Sequence, residues 1–171
     1  MSVAPCKRVE LSRLSLLWLS AAEAALAFVD ACAGETDAGL RRLDDALAEV
    51  GRTEQRYYEA EMHRIRAEIL LQRDPADAAA AEQSLQTAIA IAQSQTARSF
   101  ELRAALSLAK LYCTANRDAD AHAVLAPAVE GFPPTRQFPE LTEAQTLLAT
   151  LRPQLVRDFS KGVGARAGGS P

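Results

Sequence analysis

The amino-acid sequence predicts an all-α fold, an α-solenoid of about three helix pairs closed by one further helix. The first reason is an internal repeat. Leu43, Ala46, Leu47 and Val50 recur as Leu85, Ala88, Ile89 and Ala92, and again as Leu125, Ala128, Val129 and Phe132. Leu85 follows Leu43 by 42 residues, and Leu125 follows Leu85 by 40. Each copy leads into a second apolar run of helical spacing. A lone helix pair cannot bury its own apolar side, so such pairs become stable by stacking on their neighbours. The second reason is composition: of 171 residues 49% are hydrophobic but only 5% aromatic, so the core must be built from Ala, Leu, Ile and Val, which suits close-packed helices. The third is punctuation. Gly and Pro gather at a few places, which argues against an all-β chain and against disorder.

A first helix is expected over 9–33, where Leu11, Leu14, Trp18, Ala21, Ala22, Ala25, Val29 and Cys32 recur at steps of three and four and Gly34 stops the run. Thr36 or Asp37 offers a capping oxygen to a second helix with the stripe Leu40, Leu43, Leu47 and Val50, ended by Gly51. A third, over 54–72, turns Tyr58, Met62, Ile65, Ile69 and Leu70 to the core, with Glu59, Glu61, Arg64, Arg66 and Glu68 largely elsewhere. Asp74 and Pro75 mark a turn, because proline disfavours helix in the residue before it, and Asp77 caps a fourth helix carrying Ala81, Leu85, Ala88, Ile89 and Ala92. The fifth begins at 98 or 99 and buries Leu102, Ala105, Leu106, Ala109 and Tyr112 before stopping near Asn116. Asp118 starts the sixth, with Ala121, Leu125, Val129 and Phe132 inward and Pro127 bending it. Gly131, Pro133 and Pro134 break the chain. Pro139 then suits the first position of a seventh helix, where a missing amide costs nothing; its stripe is Leu141, Ala144, Leu147, Leu148 and Leu151, and Arg152 and Pro153 end it. The folded repeat domain is therefore expected over 9–152, between a flexible N-terminus, 1–8, and a flexible Gly-rich tail, 153–171.

Several function classes are disfavoured. A net charge of −3 gives no general attraction to nucleic acid or to an anionic membrane. Cys6, Cys32 and Cys113 are odd in number and show no Cys-x-x-Cys spacing, which fits reduced thiols and a cytoplasmic protein. The apolar run 14–29 is interrupted by Glu23 and falls short of the ~20 residues of a membrane span, although Ala31, Cys32 and Ala33 imitate an export cleavage site. His63 and His122 belong to different helix pairs. Glu59 stands one turn from His63, far from the four-ligand set of a structural zinc site. Ser84, Ser99 and Ser107 lack a Gly-x-Ser-x-Gly context, and the tail GVGARAGG follows no strand. No catalytic residue, metal or cofactor is expected, and the chain is read as a non-enzyme.

The small and large residues of the repeat have a pattern. Ala67 and Ala109 stand where paired helices cross, and the return helices carry Gly39, Leu43 and Ala46, then Ala81, Leu85 and Ala88, then Ala121, Leu125 and Ala128. This resembles tetratricopeptide repeats (TPR), in a variant longer than the 34-residue unit. The segments YYEAEMHRIRAEILLQRDP (57–75) and SFELRAALSLAKLY (99–112), with AVLAPAVEGF (123–132) and FPELTEAQTLL (138–148), look like the C-terminal TPR region of bacterial proteins that join a class III adenylate or guanylate cyclase, or another signalling domain, to a predicted ATPase. The similarity covers roughly 14–151. It implies a right-handed solenoid whose pairs display a binding surface. The chain has no phosphate-binding Gly-Lys-Ser/Thr loop and no cyclase metal-binding carboxylate motif, so no catalytic role is carried over.

In TPR stacks the first helix of each pair lines the concave side, which singles out Glu61, Arg64 and Glu68 on the third helix and Arg103 and Lys110 on the fifth as partner contacts. Such a mixed-charge groove would take a protein or peptide of complementary charge. The competing interpretation is that Glu61 with Arg64, and Arg64 with Glu68, are solvated pairs worth about 0.2–0.5 kcal/mol each. Asn116 is the only asparagine, so the Lys/Asn clamp with which some TPR domains hold a chaperone's terminal carboxylate is missing. Leu14, Leu17 and Trp18 put large apolar residues at an end where a free solenoid needs a polar cap. They are expected to form a homodimer interface or, if the chain is a detached regulatory or sensor domain, to dock on a catalytic domain.

Overall fold

The computed structural model describes residues 6–53, 56–133 and 138–164, with side-chain surroundings from 19 to 151 within those ranges. Every regular element among them is helical: α1 (Cys6–Cys32), α2 (Thr36–Thr53), a 3₁₀ turn (Arg56–Tyr58), α3 (Glu59–Arg73), α4 (Ala78–Ser94), α5 (Arg98–Thr114), α6 (Asp118–Glu130) and α7 (Pro139–Gly164). The chain divides into two compact units, Met1–Phe100 and Glu101–Pro171.

In the first unit α1 packs on α2, α2 on α3 and α3 on α4, and α1 also reaches α3, two elements along. Small residues let the helices approach. Ala24, Ala27 and Ala31 of α1 are fully buried, as are Ala67 of α3 and Ala81, Ala88 and Ala92 of α4. The closest approach is at Gly39, where a Cβ would stand 2.6 Å from the carbonyl oxygen of Ala27. Leu43 and Leu85 fill the space between, each buried, and each contributes roughly 1.5–3 kcal/mol. Polar bonds fix the register: Gln72 donates to the carbonyl of Ala31 at 2.8 Å, Arg42 reaches from α2 to Asp30 and Glu23 of α1 at 2.9 and 3.0 Å, and Arg66 joins α3 to Asp44 at 3.1 Å.

The second unit places α6 on α7 and buries Ala121, Leu125 and Ala128 against Leu141, Ala144, Leu148 and Leu151. Phe132 and Phe138 close the connection edge to face, centroids 5.3 Å apart. At the α5–α6 turn the Arg117 guanidinium lies 4.1 Å over the Tyr112 ring.

Three turns are built alike. After α1, α4 and α5 the chain spends three residues before the next helix, and the middle one, Gly34, Thr96 or Asn116, has φ of +90°, +53° or +57°. In each, the amide of the following residue donates back five positions, Glu35 to Asp30, Ala97 to Ala92 and Arg117 to Tyr112, at 2.8–2.9 Å. This is the Schellman closure, which satisfies carbonyls a helix leaves open at its end. Gly34 and Asn116 suit the left-handed position; Thr96, β-branched, does not. Thr96→Gly is therefore expected to raise stability by about 1 kcal/mol, measured as a rise of roughly 2–4 °C in Tm.

The structure differs from the sequence expectations at several ends. Gly51 does not terminate α2, which continues to Thr53: this glycine has ordinary helical backbone instead of the left-handed conformation of a cap. Thr36 is already helical, so Asp37 sits in the first turn of α2 instead of capping it. The third helix starts at Glu59, after a 3₁₀ turn, and not at 54. Asp77 holds the N-cap position of α4 but makes no side-chain cap; its carboxylate accepts from Arg73 at 3.3 Å. Leu47, Tyr58, Ile89, Val129, Phe132 and Leu147, expected in the core, are half-buried. Of the stripe expected on the first helix Ala22, Ala25, Val29 and Cys32 are exposed, because α1 buries its Ala24, Ala27 and Ala31 side instead. Finally, α7 runs through Pro153 to Gly164: one proline removes one ladder bond, at roughly 3 kcal/mol, and does not forbid continuation. Asp118 and Pro139 are the first residues of α6 and α7, and Pro127 lies inside α6.

Candidate functional site

Helix α3 departs furthest from a simple two-sided helix. Glu59, Ala60, Glu61, Met62, Ile65, Ala67, Ile69 and Leu70 are all buried, so its charged residues are not confined to a wet side. Glu61 is 1% exposed and the Arg64 side chain 13%. Arg64 donates from Nε and Nη2 to Glu61 Oε1 at 3.0 and 2.8 Å, and from Nη1 to Glu68 Oε1. Burial opposes the charge on Arg64, but the hydrogen bonds and attraction of Glu61, then of Glu68, outweigh it and lift its pKa above the ordinary value. Glu61 and Arg64 are thus a largely buried pair, not a solvated one, whose charge-assisted bonds are shielded from water. Glu61, expected as a partner contact, is closed to a partner; Glu68 alone of the three opens to water.

The start of α3 is organised in the same way. Arg56 forks onto Glu59 with Nε to Oε2 at 2.8 Å and Nη2 to Oε1 at 3.1 Å, and Gln95 donates to the Arg56 carbonyl at 2.7 Å. Tyr57 and Tyr58 both meet the Phe100 ring edge to face, centroids 5.9 and 5.6 Å away, while Tyr57 stays 64% exposed. His63, half-buried one turn from Glu59, has its pKa pushed down, first by burial and then by Arg66, with Glu59 and Asp44 pulling the other way. It is more readily neutral than a free imidazole.

The five expected contact residues fall in both units. Glu61, Arg64 and Glu68 form the one network just described, in which Glu68 is the most open, at 37%. Arg103 and Lys110 of α5 reach α7 within the second unit, to Glu140 at 3.8 Å and Glu143 at 2.7 Å. Lys110 and Glu143 border an open depression of about 760 Å³ floored by Phe138, Pro139, Thr142 and Leu147. In the first unit a groove of about 510 Å³ runs between α1 and α2, lined by Leu19, Glu23, Arg41, Arg42, Asp45 and Glu49. Sequence reasoning missed this groove, although Arg41, Asp45 and Glu49 recur at helical steps on α2. Leu14, Leu17 and Trp18 lie on α1, but their side chains fall outside the described residues.

Among the described residues no group of three or more His, Cys, Asp or Glu side chains is placed to hold a metal ion, and no helix is long and apolar enough to cross a membrane. Cys113 is a free thiol whose pKa is raised by burial and then by Asp118, so it stays protonated and a poor nucleophile. Comparison of the chain with protein-family models, with curated proteins and with solved structures returned no match.

Proposed function

We propose that the protein is a non-catalytic, cytoplasmic interaction scaffold, a right-handed TPR-like α-solenoid that binds a protein or peptide on the side formed by the first helix of each pair. The observation that carries this is the repeat: Leu43, Leu85 and Leu125 are each buried in the equivalent helices α2, α4 and α6. Contact of α1 with both α2 and α3 is the neighbour pattern of stacked pairs. Partner contact would rest on Glu68, presented by the buried Arg64, and on Lys110 and Arg103. A side chain already held in place loses little entropy on binding. The test is capture of a partner from lysate, identified by mass spectrometry. Glu68→Lys and Lys110→Glu are each expected to reduce capture at least tenfold with unchanged helicity by circular dichroism; undiminished capture by both discards the surface.

A second reading is a regulatory or sensor segment of a bacterial cyclase- or ATPase-linked signalling protein, docking on a catalytic domain. It is favoured by the exposed apolar residues Leu19, Leu26, Phe28 and Val29 of α1. Coding sequence for such a domain adjoining this one would support it, and an isolated gene would count against it.

A further inference from the structure

Between Leu19 and Cys32 every exposed residue of α1 is apolar. Leu19, Ala22, Leu26 and Val29 share one side of this surface, with Leu19 50%, Leu26 46% and Val29 59% exposed, and Phe28, 43% exposed, lies at its opposite edge. The two charged residues of the segment, Glu23 and Asp30, are both held by Arg42 of α2. Arg42 in turn has its pKa raised by Asp30 and then Glu23. The outer side of α1 is thus an uncharged apolar strip, of the kind that marks an interaction surface.

The spacing says what covers it. The steps from Leu19 to Ala22, Leu26 and Val29 are three, four and three, the spacing of the seam of a two-helix coiled coil. We propose that a second copy of this chain packs there, α1 against α1, antiparallel and centred at the level of Ala24. In that register Leu26 of each copy falls opposite Ala22 of the other, large against small, and Leu19 falls opposite Val29. A parallel arrangement would stack Ala22 on Ala22 and leave there a gap that the antiparallel register fills with Leu26. No charge on either copy's strip opposes the approach. A lipid surface fits poorly, because interfacial helices set Lys and Arg along their apolar side, and α1 from Leu19 to Cys32 contains neither. The strip amounts to on the order of 500 Å² per copy, near the lower bound of specific interfaces, so a reversible dimer is expected. The proposal is independent of the surface assigned to α3 and α5.

Sedimentation of the full chain between about 1 and about 500 μM is expected to show a monomer–dimer equilibrium with Kd in the micromolar range. Leu26→Asp, and separately Val29→Glu, should weaken it at least 100-fold with unchanged circular dichroism. For orientation, Cys6, Cys32 and Cys113 are replaced by serine, and Ala22→Cys protein is mixed with Leu26→Cys protein under mild oxidation. The mixed disulfide should predominate over either self-linked product. A monomer at every concentration, a dimer indifferent to both charged variants, or predominance of self-linked products overturns the proposal; a monomer that still captures a partner through Glu68 or Lys110 leaves the scaffold function standing.

Discussion

Glu61→Ala is expected to destabilise the protein by about 3–5 kcal/mol, read as a fall of roughly 10 °C or more in Tm. The carboxylate is 1% exposed and takes two hydrogen bonds from a guanidinium that is itself 13% exposed. Deleting it leaves a largely dry cation with Glu68 as its remaining partner in this network, and Glu68 is in contact with water. Glu68→Ala should accordingly cost about 1 kcal/mol or less. Removing both charges in one step, Glu61→Leu with Arg64→Met, should recover most of the loss, since a buried pair replaced by apolar side chains of similar volume is often neutral or better. Thermal unfolding of the three variants decides the matter. If Glu61→Ala lies within 1 kcal/mol of the parent, the pair is not water-excluded in solution.

Gly39→Ala and Gly51→Ala are expected to move stability in opposite directions, although both introduce a methyl group into α2. At Gly51 an added Cβ would meet nothing within 4 Å, so alanine's better helix propensity acts alone and adds about 0.5–1 kcal/mol. At Gly39 the same preference meets a backbone oxygen at 2.6 Å, and a carbonyl of α1 cannot swing aside as the end of a side chain can. The two helices must separate, loosening the contacts around Ala27 and Ile69, and the net loss is expected to be about 2 kcal/mol. Urea titration of the two variants is the check. Equal stabilities would mean that α1 and α2 sit further apart than Gly39 and Ala27 indicate.

How much of this was legible in the sequence depends on whether a feature is decided locally. Helix starts at Asp118 and Pro139 were readable because those residues favour a first turn on their own account. Burial of Leu43, Leu85 and Leu125 was readable because the repeat places the same residue at the same point three times. The burial of Glu61 was not, since the rule that charges face water has no local exception; only packing on several sides of α3 produces one. The nearest signal was Ala60 and Ala67, small residues away from the Met62–Ile65–Ile69 stripe. Thr96 hid a left-handed turn because the usual marker, glycine, is absent, and only the matching spacing of Gly34 and Asn116 betrays it. The passage of α7 through Pro153 was missed because a one-residue penalty was weighed without the helix formers Leu155, Arg157 and Lys161 beyond it. Of the expected contact residues, the Arg64 cluster followed from helical steps of three and four, whereas the partners of Arg103 and Lys110 on α7 depend on tertiary placement that no short-range pattern encodes.

The alanines between α1, α3 and α4 make the tolerance of this protein to genetic drift lopsided. Shaving a methyl from Ala27, Ala67 or Ala88 leaves a hole too small to matter much beyond the added freedom of glycine. Growing any of them to valine or leucine forces two rods apart along their length. Sequence change at these sites is therefore penalised first by bulk, and further by polarity wherever the new group finds no partner, so among apolar replacements a mutational scan of these positions should read as a map of side-chain size.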